Sequence, residues 1–175
     1  MKNAKKLVSL LVVLTILATC YSSVISYTHE SGYIPFSEYS LQIRYTQNGP
    51  ISYANMIDVS MQRWNMILPL DSTRGTYSSP DYIIYSDDYG NVSWAGKCWY
   101  PCPLNWLLGY KIKINDYAIG TNGYYAINVI LHEVGHMYGL GHCSLATSVM
   151  KPVADPSINY PNYDDECGVE DIYGS

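Results

Sequence analysis

Residues 132 to 142 read His-Glu-Val-Gly-His-Met-Tyr-Gly-Leu-Gly-His, a run that sets three imidazoles and one carboxylate at a spacing suited to a metal ion. On a helix, His132 and His136 project from one face about 40° apart, close enough to share an ion. Glu133 stands one position round from His132, beside such an ion and not on it, which is the place for a general base. A straight helix would carry His142 away. Gly139 offers a left-handed residue that ends the helix and turns the chain, so that His142 swings back as third ligand.

These residue types suit one chemistry. Three neutral imidazoles leave zinc a fourth position for water and bring the pKa of that water from 15.7 toward roughly 7. Glu133 would take the proton of the attacking water and return it to a leaving amine, which is peptide hydrolysis without a covalent intermediate. A purely structural zinc ordinarily has four protein ligands and no use for an adjacent carboxylate. The five fixed positions arise by accident in about one in 10⁵ chains of this length.

The same run resembles the signature of the metzincin metallopeptidases, in which a methionine turn lies beneath the metal. Ser148-Val149-Met150 follows His142 closely enough to supply that turn, with Met150 its methionine. Met150-Lys151-Pro152 is similar to the Met-x-Pro of the matrixins, the matrix metalloproteinase group, whereas astacins and serralysins carry a tyrosine where Pro152 stands. Tyr39 to Tyr45 resembles the first matrixin strand, and Tyr53 to Leu68, with Trp64, its first long helix. Asp81 to Tyr85 resembles the following strand, and Asp164-Asp165 through Ile172-Tyr173-Gly174 the closing helix. The resemblance implies an α+β, metzincin-like zincin fold. Its parts are a twisted mixed sheet, two long helices with the zinc-binding helix among them, a methionine turn and a C-terminal helix. It also implies one catalytic zinc held by His132, His136 and His142, with Glu133 catalytic and a protein or peptide as substrate. The rival reading is a zinc-bearing protein-binding or adhesion module that keeps the fold with little turnover; retention of Glu133 favours the enzyme.

The chain departs from the matrixin pattern in three places. Cys143 follows the third histidine where a serine or threonine is usual. Few residues separate the signal region from the first strand, so no prodomain is expected. The fourth of the four histidines, His29, is far from any partner, which leaves no second histidine-rich zinc site.

Composition describes a small exported domain. Lys2, Lys5 and Lys6 precede an apolar run from Leu7 to Ala18, which reads as a signal peptide over residues 1–20. Residues 21–37 form an N-terminal segment, and 38–175 a single metallopeptidase domain. Leu17-Ala18-Thr19-Cys20 also resembles a lipobox. The expected location is extracellular, with lipid anchoring through Cys20 as the alternative and no other membrane association. Without the leader, seven basic residues face 15 acidic ones, a formal charge of −8, and nucleic acid is not an expected partner. A monomer is expected. The four cysteines beyond Cys20 suggest two disulfides in an oxidising compartment. Of the three pairings, Cys98 with Cys102 and Cys143 with Cys167 are favoured; a free Cys143 thiol near the metal is the alternative.

These residues need elements to hold them. Leu41 to Tyr45 alternates as a strand, and Met56, Ile57, Ser60, Met61, Trp64 and Ile67 recur at helical spacing as a core stripe, ended by Pro69. Tyr82 to Tyr85 reads as a strand and Asp87 to Asn91 as a turn, whose carboxylates either bind calcium or are simply solvated. Asn91-Val92-Ser93 is a glycosylation sequon. Lys111 to Asn115 alternates as an edge strand should, and this segment or the loop from Cys98 to Gly109 is expected to pair with extended substrate. From Asn122 to Gly141 the pattern is apolar nearly all round, predicting a central, buried helix. Nineteen tyrosines accompany one phenylalanine, so many phenols must reach the surface; Tyr138 and Tyr160 are expected to shape the substrate cleft.

Overall fold

The computed structural model describes residues 40–68, 71–75, 82–99 and 110–174. The leader, Cys20, His29, Pro69, Cys102 and the segment 100–109 lie outside the described residues. In chain order the elements are β1 (Ser40–Gln47), α1 (Ala54–Asn65), β2 (Asp71–Gly75), β3 (Tyr82–Asp87), β4 (Gly96–Trp99), β5 (Tyr110–Asn115), α2 (Asp116–Ile119), α3 (Gly123–Met137) and α4 (Tyr163–Tyr173).

Five strands form one sheet in the order β2-β1-β3-β5-β4. Four run parallel and β4 pairs antiparallel to β5, so the sheet is mixed. This corrects the expectation that Lys111 to Asn115 is an edge: β5 is an interior strand and β4 takes the edge. The alternation itself holds, with Ile112 and Ile114 fully buried on one face. The lysines of the other face signalled solvent, and a solvated face does not require a free edge. β2 is a polar strand with only Ser72 buried. A bidentate Arg74 to Asp58 pair at 2.8 and 2.9 Å and the Asn65 side chain, which bonds both backbone groups of Ser72, fix it to α1.

The helical stripe of α1 packs as predicted: Ile57, Ser60, Met61 and Trp64 are buried, and they face α3 across the core. Trp64 fixes the register of the two helices by donating its indole N–H to the Leu131 carbonyl at 3.0 Å. Helix α3 is buried from Val129 through Gly135, as its unbroken apolarity requires. Asn122 caps its start by accepting from the Tyr125 N–H. Its end is a Schellman motif: Gly139 has φ +93°, the Leu140 N–H donates to Gly135 and the Gly139 N–H to His136. The left-handed glycine expected from the sequence is therefore present, and the chain turns there. No helix of the described residues is long and apolar enough to cross a membrane.

Candidate metal centre

The three histidines of α3 and the following turn converge. His132 Nε2 lies 3.0 Å from His136 Nε2 and 3.2 Å from His142 Nε2, and the three ligand atoms all lie within 4.8 Å of one another. Two of the rings have a fixed tautomer. His132 Nδ1 is 2.8 Å from the Val149 carbonyl and His136 Nδ1 is 2.7 Å from the Leu140 carbonyl. A carbonyl only accepts, so each Nδ1 carries the proton and each Nε2 presents a lone pair. Two bare lone pairs facing each other at 3.0 Å repel unless a cation stands between them. Burial, with the neighbouring His136, pushes His132 down to about 4, so it stays neutral. Tetrahedral zinc with bonds of about 2.05 Å would separate its nitrogens by about 3.3 Å, close to the spacing found. The residues fit the ion.

Glu133 is buried beside this cluster. Burial raises its carboxyl to about 8, against the lowering effect of the Cys98 N–H that it accepts. The contact depends on Gly96: a Cβ there would stand 2.7 Å from the Glu133 side chain and 2.6 Å from Val129. Edge strand β4 can thus lie against the carboxylate. A cleft of about 430 Å³ opens between β4 and the loop after the methionine turn. His132, Glu133, His136 and His142 form its floor, and Cys98, Tyr125 and Val153 stand among its walls.

The methionine turn lies under the helix. Met150 is buried, and a Cβ on Gly135 would be 2.3 Å from its sulfur, so only glycine permits this approach. Asp165 of α4 holds the turn by accepting from the Ser148 hydroxyl at 2.5 Å and from the Val149 N–H at 3.2 Å. The same carboxylate closes a capping box with Asn162. A continuous path therefore runs from Asp165 through Val149 to the ring of His132.

Two positioning residues went unread in the sequence. In the sequence Asp165 stands out only as part of the closing helix. Asn128, one turn before His132, donates to the Ile158 carbonyl at 2.5 Å and accepts from the Asp155 N–H at 2.9 Å, tying the loop that walls the cleft to α3. A lone amide in a run of apolar residues was its signal.

Other expectations are corrected. Cys143 and Cys167 are both thiols and not a disulfide. Cys167 sits two residues past Asp165, about 200° round the helix, so the face that meets the turn excludes it. Cys143 is instead buried beside Ser148, and burial raises its thiol. Tyr138 does not line the cleft: it is buried against Trp64, with its hydroxyl 2.7 Å from that of Ser72. Nor does Tyr160, whose ring stacks under the Arg63 guanidinium at 4.1 Å. The turn expected at Asp87 to Asn91 is present, with Asp87 and Asp88 accepting from the Asp88 and Gly90 N–H groups.

A sheet edge flanking a buried helix with three convergent imidazoles, a carboxylate and a methionine beneath them defines a zincin-type metallopeptidase architecture. The chain belongs to the matrixin family, whose sequence model matches residues 62–174. It is 29% identical to rat matrilysin over 131 residues, which is 66% of this chain and 48% of that protein. It is 41% identical to the Arabidopsis thaliana metalloendoproteinase 4-MMP over 51 residues, 27% of this chain and 15% of the relative. Human matrix metalloproteinase-20 is 25% identical over 130 residues, covering 67% of the chain and 27% of the relative. The chain spans less than half the length of these relatives.

Proposed function

We propose that the chain is a secreted, zinc-dependent endopeptidase in which His132, His136 and His142 hold the metal, Met150 forms the methionine turn beneath it and Glu133 is the general base. One observation carries the reading. Two Nε2 lone pairs converge with their Nδ1 protons already committed to carbonyls, and a carboxyl is buried beside them. Bound there, zinc supplies Lewis acidity and brings the pKa of a coordinated water toward roughly 7.

The protein's own groups do the rest. Beside a bound cation Glu133 would be held ionised, and its carboxylate is placed to take a proton from water and later deliver it to the leaving amine. The Cys98 N–H and Gly96 fix that carboxylate in place. Strand β4 has one edge paired with β5 and the other turned to the cleft, so an extended peptide can add to it as a further strand and lie across the floor. Val153 and Ala154, held by the Asn128 clamp, offer apolar surface to a side chain of that peptide.

The test is cleavage of casein or gelatin by the purified chain, with and without a zinc chelator, beside Glu133→Ala. The expected result is chelator-sensitive cleavage that falls at least about 10² in the variant while zinc stays bound. Cleavage indifferent to chelation, or a variant with near-normal turnover, would reject the assignment.

A further inference from the structure

The outer face of β4 and β5 carries a second cleft, of about 310 Å³, lined by Trp94, Lys97, Trp99 and Lys113. Register places Lys97 directly opposite Lys113, and Trp99 opposite Lys111, so all four side chains project from one face of the sheet. Lys113 Nζ stands 5.2 Å from the Trp99 ring centre and 5.1 Å from that of Tyr89; Lys111 Nζ is 5.9 Å from Trp99. Three of the chain's ten basic residues thus gather on one small patch of a protein of net charge −5.

Like charges placed opposite each other across a strand pair destabilise it. Among the described residues the ion pairs are Arg74 with Asp58 and Lys151 with Asp155, so none of these three ammoniums is ion-paired with a described carboxylate. Aromatic faces offset part of the repulsion by cation–π attraction. An anion seated among the lysines would offset the remainder, and the indoles would supply flat apolar walls to a ring carrying that anion.

We propose that this face binds the anionic sugar units of an acidic polysaccharide. The cleft volume is at the low end for small-molecule sites of roughly 300–1,000 Å³, room for a sugar ring or two and not for a tracked strand of nucleic acid. Carboxylate or sulfate groups pair with Lys97 and Lys113, and the C–H face of the pyranose stacks on an indole. Trp94 and Lys97 also line the metal-bearing cleft, so the sugar sits at its rim.

The test needs no peptidase activity. Intrinsic tryptophan fluorescence of the purified chain is titrated with trigalacturonate and a heparin-derived tetrasaccharide, and with maltotriose, hexathymidylate and sodium sulfate as controls. Binding of the two anionic sugars is expected to weaken with added salt. It should fall about tenfold in Lys113→Gln and in Trp99→Leu, and return in Lys113→Arg. Thermal unfolding of Lys113→Gln should be no lower than that of the parent, because the variant relieves the repulsion with Lys97, and its peptide cleavage should match the parent, because Lys113 does not line the metal-bearing cleft. Absence of binding at millimolar sugar, or binding unchanged in Lys113→Gln, would overturn the proposal. Equal affinity for maltotriose, or affinity for sulfate or hexathymidylate as high as for the anionic sugars, would overturn the ligand class.

Discussion

Glu133→Gln removes a charge that the cleft wall buries and leaves in place the acceptor oxygen for the Cys98 N–H. In the metal-free chain burial raises the folded carboxyl from its ordinary 4.5 to about 8. Below the lower value both folded and unfolded chains hold the proton, and the group contributes nothing to pH dependence. Between the two values the unfolded chain ionises while the folded chain stays protonated, so stability falls as pH rises. Above about 8 the loss is complete. At about 1.4 kcal/mol per unit, its ceiling is about 5 kcal/mol. Glutamine does not titrate and should not show the fall. The assay is urea unfolding of chelator-treated parent and variant at about pH 4.5 and about pH 8.5, followed by Trp fluorescence. The buried Asp165, whose carboxyl is also raised, contributes to both proteins and cancels in the difference. The parent should lose stability relative to the variant, and added zinc should shrink that gap, since a neighbouring cation favours the carboxylate. Parallel behaviour of the two proteins would refute the buried-charge reasoning.

Gly135→Ala forces a methyl group toward Met150 and Trp64 and should cost about 1–3 kcal/mol in urea unfolding, with weaker zinc retention against a chelator. Asp165→Ala frees the Ser148 hydroxyl and the Val149 N–H and breaks the capping box; zinc affinity should fall about tenfold or more in competition with a chromogenic chelator, with Asp165→Asn less affected. Asn128→Ala releases the wall of the cleft at Asp155 and Ile158, so KM for peptide substrates should rise more than kcat falls, measured by initial rates.

The candidate metal centre was readable because its information is local. The spacing of His132 and His136 on one helical face, and a glycine placed to reverse the chain before His142, need no knowledge of distant contacts. The core stripe of α1 was legible for the same reason. Strand β4 was not: Gly-Lys-Cys-Trp has no alternation of its own, and only its pairing with β5 makes it an edge. Strand β2 is polar because it owes its place to hydrogen bonds from β1 and to Arg74, not to burial. The Cys143 and Cys167 pairing failed on helix phase, since a spacing in sequence does not say which side of α4 meets the turn. Asn128 and Asp165 act across 27 and 16 residues respectively, on partners that only the folded chain brings near.

The ring of His132 is oriented by a carbonyl seventeen residues later, which is itself held by a carboxylate near the start of the final helix. Ligand geometry is therefore a property of chain completion. A nascent or truncated polypeptide that stops short of Asp165 possesses all three imidazoles and still lacks the tether that fixes the first of them. Convergence of the three imidazoles is tied to docking of the last helix, and until that helix docks, the carbonyl that aims the first ring is itself unheld.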